Sequence, residues 1–382
     1  MDAGHALVNQ ARSLPGKSTV RVVVSALAIL CSVAVGEAFA APTMIRLGYQ
    51  GCTPCHLSPQ GGGLLTDYGK GLDRAQSLFA REYTTPKKSQ SWRFVQDARA
   101  QFGFETSARL ATDAWSDANE VRAWHRAAVV HGHQRLTTVV GFDFRPLPST
   151  VSARPEVTLA RATWDVRPRE GVEFSAGKDA LPSPLGLPDV QKYVRDFVEP
   201  GASLYPSQAK LFLSSRRTSL TSYAFGPGGD ETVANRSSGA GVLAGLNLGR
   251  RVVLGGSARA SRSTARDVNR SGAFARLGFG RWGLLSEHER VIESDTTAEH
   301  EDYVGTTVLF TAPFEWLVAS VASQYSVDLA SRARDVHRLS PSVQIRVSDN
   351  ITFAITEREM FGPTSADRGR SLAIQLFMKT VR

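Results

Sequence analysis

The feature that most constrains the fold is an alternation of residue types that begins near Trp92 and continues to the C-terminus. Every second residue is apolar in the runs 242–248, 252–258, 343–347, 351–355 and 372–378. Most of the residues between them are small or polar, and the stretch contains no convincing helix of any length. This period of two predicts β-strands whose two faces meet different surroundings.

The connections between these runs alternate between short and long. Short turns are predicted at 167–171, 214–217, 249–251, 280–282, 311–315 and 348–350, and longer polar loops at 149–155, 181–206, 227–236, 263–267, 293–298, 328–334 and 361–370. The pattern predicts an all-β, transmembrane antiparallel barrel of about sixteen strands over residues 89–382, with both ends on the periplasmic side. A soluble β-sandwich is the alternative.

Four tryptophans fall near the proposed periplasmic turns, as an interfacial aromatic girdle would. They are Trp92, Trp164, Trp282 and Trp316.

The N-terminus has the pattern of a secretory signal peptide. Basic residues precede the apolar run Val22–Val35, and Ala38-Phe39-Ala40 follows it, which predicts cleavage after Ala40. A retained anchor is the alternative, but the run is shorter than the roughly 20 residues that a spanning helix needs. Cleavage would remove Cys31. The formal charge of +9 could suit nucleic acid, but an exported chain meets none.

The mature chain keeps two cysteines, both in Cys52-Thr53-Pro54-Cys55-His56. The spacing C-x-x-C-H is that of a c-type haem attachment site, with two thiols for the porphyrin vinyl groups and an imidazole for the iron. A disulfide or thioredoxin-like pair and a zinc half-site are the alternatives. The chain has no second cysteine pair for zinc, and no βαβ pattern surrounds the motif. The sequence therefore predicts one covalent haem c, attached through Cys52 and Cys55 and ligated by His56.

Residues 41–88 form a small first unit with its linker. A turn is predicted at Pro59–Gly63, a helix at Leu72–Arg81 and a linker at Tyr83–Ser91. The unit is too small for a core of its own. We therefore expect it to dock into the periplasmic end of the barrel as a plug, with Leu64, Leu65, Tyr68 and Leu72 between haem and wall.

The sequence leaves the second axial ligand open. The candidates are Met44, Met360, Met378, His125, His131, His133, His288, His300 and His337. His131-Gly132-His133 lies near a proposed periplasmic turn, and a five-coordinate or water-ligated iron is also open. Arginines on the proposed inward faces would neutralise haem propionates, favour anions in the lumen or simply line a porin; they are Arg99, Arg109, Arg161 and Arg259.

A signal peptide, one C-x-x-C-H and a barrel together resemble the fused monohaem cytochrome–porins of the outer membrane, whose best-known members are iron oxidisers. The resemblance rests on this architecture and on Gly51–Gly69, and it carries over only Cys52, Cys55 and His56. It implies a cytochrome unit in or under the barrel mouth that passes electrons across the outer membrane. This chain departs from the family in size, and it has no evident metal-binding loop.

Two functional hypotheses follow. In the first, the haem carries electrons between a periplasmic carrier, such as a soluble cytochrome, and an external donor or acceptor. The protein would then be an electron-transfer protein embedded in outer-membrane lipid rather than a substrate-turnover enzyme. In the second, the protein is a diffusion porin, and its haem unit is a plug or redox-sensitive gate.

Overall fold

The structure is a computed structural model of the whole chain. It describes residues 41–49, 55–57, 64–76, 78, 92–109, 114–144, 156–185, 205–228, 236–295, 298–329, 335–363 and 368–381. The predicted signal peptide with Cys31, the predicted turn at 59–63, the predicted linker at 83–91 and Cys52 lie outside these residues.

Sixteen antiparallel strands form one closed barrel in the described part of the chain. They are β1 (Trp92–Arg109), β2 (Ala114–His131), β3 (Gln134–Phe144), β4 (Glu156–Arg169), β5 (Val172–Lys178), β6 (Ser207–Ser214), β7 (Thr218–Gly226), β8 (Ser238–Asn247), β9 (Val252–Arg262), β10 (Asp267–Phe279), β11 (Trp282–Ser294), β12 (Glu299–Phe314), β13 (Leu317–Asp328), β14 (Val336–Ser348), β15 (Ile351–Phe361) and β16 (Gly369–Val381). Each strand pairs with its neighbours in sequence, and β1 closes the barrel against β16, with Phe102 opposite Leu376. The predicted barrel is confirmed, and the sandwich is excluded.

The outer face of the barrel is the apolar face that the alternation predicts. Exposed side chains point outward along the strands, including Val242, Leu246, Leu254, Ile374 and Leu372. In water these side chains would be an unusually large apolar surface, whereas lipid tails cover such a surface without cost.

Aromatic side chains gather on the same outer face close to the short turns. Trp92 and Trp164 are exposed, and Trp316 stacks on Phe314 at a centroid distance of 5.3 Å. Trp282 is the first residue of β11, directly after a short turn. All four tryptophans therefore lie in the part of the barrel nearer the short turns, as expected of residues at a membrane interface.

The inner face carries charged and polar side chains that pair with one another. On adjacent strands, Asp97 of β1 accepts a 2.6 Å hydrogen bond from Nε of the buried Arg126 of β2. On the opposite wall, Arg270 of β10 lies 3.3 Å from Glu289 of β11. Burying such groups is tolerable because each charge has a partner of opposite sign.

The connections separate the two ends of the barrel. Short turns join β2 to β3, β4 to β5, and the later even-numbered strands to the strands that follow them. The longer connections, such as 179–206, all leave the other end. Trp92 and Val381 lie at the end with the short turns, hereafter the short-turn end, so both termini of the barrel are on the predicted side.

The N-terminal unit contains a 3₁₀ helix (Ala41–Leu47) and an α-helix, α1 (Asp67–Ala75). The prediction for this helix was wrong at both bounds, since α1 begins before Leu72 and its last residue is Ala75. Two glycines in its first turns concealed its start. Thr66 caps it, because its Oγ1 accepts a 3.0 Å hydrogen bond from the Gly69 amide, and Asp67 favours the positive end of the helix dipole.

No helix in the described part of the chain is long and apolar enough to cross a membrane.

Candidate functional site: the lumen at the short-turn end

The N-terminal unit lies inside the barrel, against inward-facing residues of the wall. Ile45 is 1% exposed and packs with Phe274 of β10, Leu285 of β11 and Phe310 of β12. The wall makes room for the 3₁₀ helix at Gly278, where an added Cβ would lie 2.4 Å from the Ile45 carbonyl oxygen. The 3₁₀ helix is therefore seated on the wall by a close apolar contact.

A second contact joins α1 to the wall formed by β14 and β16. Asp73 pairs with Lys379 of β16 and lies 3.1 Å from Arg346 of β14, which also donates to the Asp73 carbonyl. Burial by itself would raise the pKa of Asp73, but the charges of Arg346 and Lys379 outweigh it and lower the pKa below 3.8. Asp73 is therefore ionised while the unit is docked.

Two more ion pairs hold the unit at the same level. Arg46, 4% exposed, donates to Glu315 at 2.7 Å, and Glu315 lies in the turn after β12. Asp67 accepts from Arg93 of β1 at 3.1 Å. Every wall residue in these contacts lies within a few positions of a short turn or of a barrel terminus, so the unit occupies the short-turn end of the lumen.

The described part of the C-x-x-C-H motif is buried in this unit. Cys55 is 8% exposed and His56 is 6% exposed. His56 forms an antiparallel bridge with Leu65, and the Thr66 amide donates to the Cys55 carbonyl at 3.0 Å. An added Cβ on Gly69 would lie 2.0 Å from that carbonyl oxygen, so α1 packs against the motif as closely as a glycine permits.

The predicted docking residues have different surroundings. Leu64 is buried and packs on Val95 of β1 and Ala128 of β2, both inward-facing. Tyr68 is exposed and contacts Tyr49 instead of the wall, so that part of the expectation was wrong. The two hydroxyls share a hydrogen bond, which together with burial raises the pKa of Tyr49 to about 12.

Two arginines of the wall hold the residue next to His56. Arg135 of β3 donates to the Leu57 carbonyl, and Arg167 of β4 lies 3.4 Å from the same oxygen. Arg135 also pairs with Asp165 at 2.9 Å and with Glu173 at 3.1 Å, and Glu173 pairs in turn with Arg167. These two arginines could not be predicted from the sequence, because nothing in the residues around them indicates that they contact Leu57.

The connection after β5 also enters the lumen. Leu185, 1% exposed, joins the apolar cluster of Ile45, and the Pro184 carbonyl accepts a 3.1 Å hydrogen bond from Arg276 of β10. At the base of this segment, Lys210 lies 2.6 Å from Asp179. The segment 179–185 and the 3₁₀ helix therefore meet at the wall formed by β10, β11 and β12. Both of them narrow the lumen.

Most proposed second haem ligands lie away from the motif. Five are exposed on the outer face of the barrel: His125, His131, His288, His337 and Met378. His131 stacks on Trp92 at a centroid distance of 4.1 Å and therefore does not face the lumen. Met360 and His300 lie near the long-loop ends of β15 and β12.

Two candidates share the short-turn end with the motif. Met44 lies in the 3₁₀ helix, where its sulfur accepts a hydrogen bond from Gln76 at 3.4 Å. His133 lies exposed in the turn before β3, and its carbonyl accepts from the Arg167 amide at 2.7 Å.

The arginines predicted to face inward do so where they are described. Arg99 lies 3.4 Å from Asp97, and Arg161 pairs with Asp179 and lies over the Tyr205 ring. Arg259 alternates inward on β9. The side chain of Arg109 is outside the described part.

Among the described residues, no group of three or more His, Cys, Asp or Glu side chains is arranged to hold a metal ion. In a c-type haem the motif ligates the iron through one imidazole, and the two cysteines bond the porphyrin instead of the metal, so attachment does not require a group of this kind.

Several solved structures of outer-membrane proteins have a similar fold. The chain is similar to OmpT of Vibrio cholerae in a loop-deleted form, with 10% identity over 76% of this chain and 100% of that one and a TM-score of 0.58. It is similar to an anion-selective porin from Comamonas acidovorans, with 9% identity, 76% and 100% coverage and a TM-score of 0.55. It is also similar to Salmonella typhi OmpF in complex with daunomycin, with 8% identity over 76% of this chain and 98% of that one and a TM-score of 0.57.

No protein-family model matches the chain, and no curated protein matches its sequence. The identities are too low to carry over any activity from the solved structures. What they share with this chain is the closed antiparallel β-barrel of outer-membrane proteins.

Proposed function

We propose that this chain is a porin-type barrel of the bacterial outer membrane whose lumen is plugged, at the short-turn end, by a unit carrying one covalent c-type haem. The observation that carries the proposal is the position of Cys55 and His56, buried in a unit that lies inside the barrel. The apolar outer face and the fold shared with solved outer-membrane porins support the location.

The residues of the motif suit a haem. Cys55 supplies a thiol and His56 an imidazole, side by side, and Cys52 stands at the spacing that the second thioether bond needs. When bound, the haem would supply one-electron chemistry. The chain's own contribution is to bury the motif, exclude bulk water from it with α1 and Leu64, and hold it against the wall.

The contacts of the unit favour a plug over a freely hanging domain. Apolar packing at Ile45 and ion pairs at Arg46, Asp67 and Asp73 connect it to the wall on several sides of the lumen. The segment 179–185 narrows the lumen further. A plug so placed would restrict solute diffusion through the barrel and would make passage depend on its displacement.

A second function, electron transfer across the outer membrane, is favoured by the depth of the motif. The apolar band of such barrels is about 25 Å tall, and a haem inside the lumen shortens the path of an electron through it. The partners would be a periplasmic carrier, such as a soluble cytochrome, on one side and an external donor or acceptor on the other. In this function the chain resembles the fused monohaem cytochrome–porins.

The first test is haem attachment. Cys52→Ser combined with Cys55→Ser should abolish the haem-stained band on a denaturing gel, because the thioether bonds are lost, while His56→Ala should retain the band and alter the visible and magnetic-dichroism spectra. Met378→Leu, on the outer face, is the matched control. A haem-stained band in the double serine variant would refute the assignment.

The second test separates the two functions. Purified protein in sealed vesicles is offered a reductant that is too large for the pore, and haem reduction is followed by absorbance. If this reductant reduces the haem although it cannot enter the pore, the result supports electron transfer. No reduction, together with solute flux that changes with haem oxidation state, supports the gated porin.

A further inference from the structure

We propose that Arg135 and Arg167 of the barrel wall are positioning residues for the haem-ligating segment. They hold the carbonyl of Leu57, the residue after His56, and their network with Asp165 and Glu173 sets the local charge at the haem. This inference rests on the proposed function and deepens it, because it makes the barrel a part of the redox site.

The two arginines contact the backbone carbonyl of Leu57. Because the contact is made to the backbone, it does not depend on the side chain at this position. The Leu57 amide is bonded to the Leu64 carbonyl at 2.9 Å, on the other side of the same residue. His56 is thus one residue away from a point fixed both to the unit and to the wall.

Both donors are themselves held in place by carboxylates of the wall. Arg135 is held between the Asp165 and Glu173 carboxylates, and the side chains of all three are at most 12% exposed. Arg167 donates from Nε to Glu173 at 2.9 Å. Arg135 is buried and bonded to two carboxylates, and Arg167, although more exposed, is bonded to Glu173 through two of its nitrogen atoms. Both guanidinium groups are therefore restrained, and they transmit the position of β3 and β4 to the motif.

The network carries no net charge, because its two guanidinium groups are balanced by two carboxylates. It lies next to the segment that carries the proposed iron ligand. Oxidised iron has one more positive charge than reduced iron. Removal of one guanidinium would leave a net negative charge nearby, stabilise the oxidised form and lower the reduction potential.

The experiment is a spectroelectrochemical titration of the haem in purified full-length protein. Arg135→Gln should lower the midpoint potential and perturb the haem spectrum. Arg135→Gln combined with Glu173→Gln restores neutrality, and its midpoint should return toward that of the wild type. A general loss of structure would not produce this return.

The matched control is Arg161→Gln. Arg161 faces inward on the same strand as Arg167 and is also ion-paired, but it lies six residues away, about 20 Å along the strand. Because Arg161 is about two screening lengths of about 10 Å from Arg167, its removal should shift the midpoint much less than Arg135→Gln does.

The outcomes are distinct. If Arg135→Gln gives the same midpoint as Arg161→Gln, or if the double variant stays as low as the single one, the inference is overturned while the haem assignment stands. If wild-type protein carries no haem, both fall. Should Arg135→Gln lose the heat-modifiable gel migration of the folded barrel, Arg167→Gln replaces it, because the Arg167 side chain is 41% exposed and tolerates change better.

Discussion

The barrel wall and the unit inside it are stabilised in different ways. Each strand of the wall is hydrogen-bonded to two neighbours along its backbone, from Trp92 round to Val381. Where it is described, the unit has one short α-helix, one 3₁₀ helix and a two-residue bridge, and side chains such as Ile45 and Asp73 attach it to the wall. The wall is a closed hydrogen-bonded structure, whereas the unit depends on contacts that single substitutions can remove.

This difference separates the two parts functionally. The unit can be released or redesigned without breaking a strand pairing, because none of the sixteen described strands takes a partner from it. The position of the C-x-x-C-H motif in the lumen then follows from a few identified contacts.

Deletion of residues 41–88 should raise single-channel conductance several-fold while the barrel still folds. The reason is that the deletion removes the lumen contacts of the unit and leaves the strands intact. Conductance in planar bilayers measures the first effect, and heat-modifiable gel migration measures the second. Unchanged conductance would show that the unit does not obstruct the pore.

Asp73→Asn should weaken docking by about 3–5 kcal/mol, because it leaves the partly buried Arg346 and Lys379 without their carboxylate.

Acid should also weaken docking, because it protonates the Asp73 carboxylate. The pKa of Asp73 is lowered by docking, so its contribution is complete above about pH 4 and is lost as the pH falls through the lower, docked value.

The measurement is conductance as a function of pH for the wild type and for Asp73→Asn. The wild type should open more often in acid, and the variant should already be open at neutral pH. Asp267→Asn, at an exposed ion pair, is the control. A wild-type response to acid that persists unchanged in Asp73→Asn would assign the effect to another group.

Ile45→Ala should weaken docking by about 2–5 kcal/mol through the cavity it leaves among Phe274, Leu285 and Phe310. The expected result is more frequent channel opening with an unchanged barrel. Ile374→Ala, at an exposed outward position on β16, is the matched control and should leave the channel as it is. Equal effects of the two variants would contradict the seating of the 3₁₀ helix.

Gly69→Ala should destabilise the unit by about 1–3 kcal/mol, because the new methyl group meets the Cys55 carbonyl oxygen and forces α1 away from the motif. A smaller fraction of the protein should then carry haem, as measured by the ratio of haem to protein absorbance. Gly132→Ala, in a turn with open space around its Cβ position, controls for loss of a glycine, although its φ of +55° adds local strain. A full haem complement in Gly69→Ala would count against the close packing.

Arg262→Gln should have no measurable effect on folding or conductance. Its side chain is 80% exposed, and its ion pair with Asp267 lies in solvent, where such pairs contribute little. Heat-modifiable migration and conductance should both match the wild type, and a clear change would show that the loop end of β9 contributes to the channel.

The outer face of the barrel could be predicted from residues such as Leu246, Leu254 and Ile374, because a period of two is a local property and lipid selects one side of every strand. The short turns could be predicted as well, since glycine and polar residues mark them. The helix α1 was predicted imperfectly because Gly69 and Gly71 weaken the helical pattern, whereas its close approach to Cys55 requires a glycine at position 69.

The strand periodicity, the common end of the barrel for both termini and the side-chain chemistry of Cys52, Cys55 and His56 can all be inferred from the order of the residues. The contact of Arg135 and Arg167 with the residue after His56, and the orientation of His131 and Met378 away from the lumen, are visible only in the folded barrel. The difference arises from separation along the chain. Alternation and motif spacing act between neighbours, whereas the contact from Arg135 to Leu57 spans 78 residues and exists only once the barrel has closed around the unit.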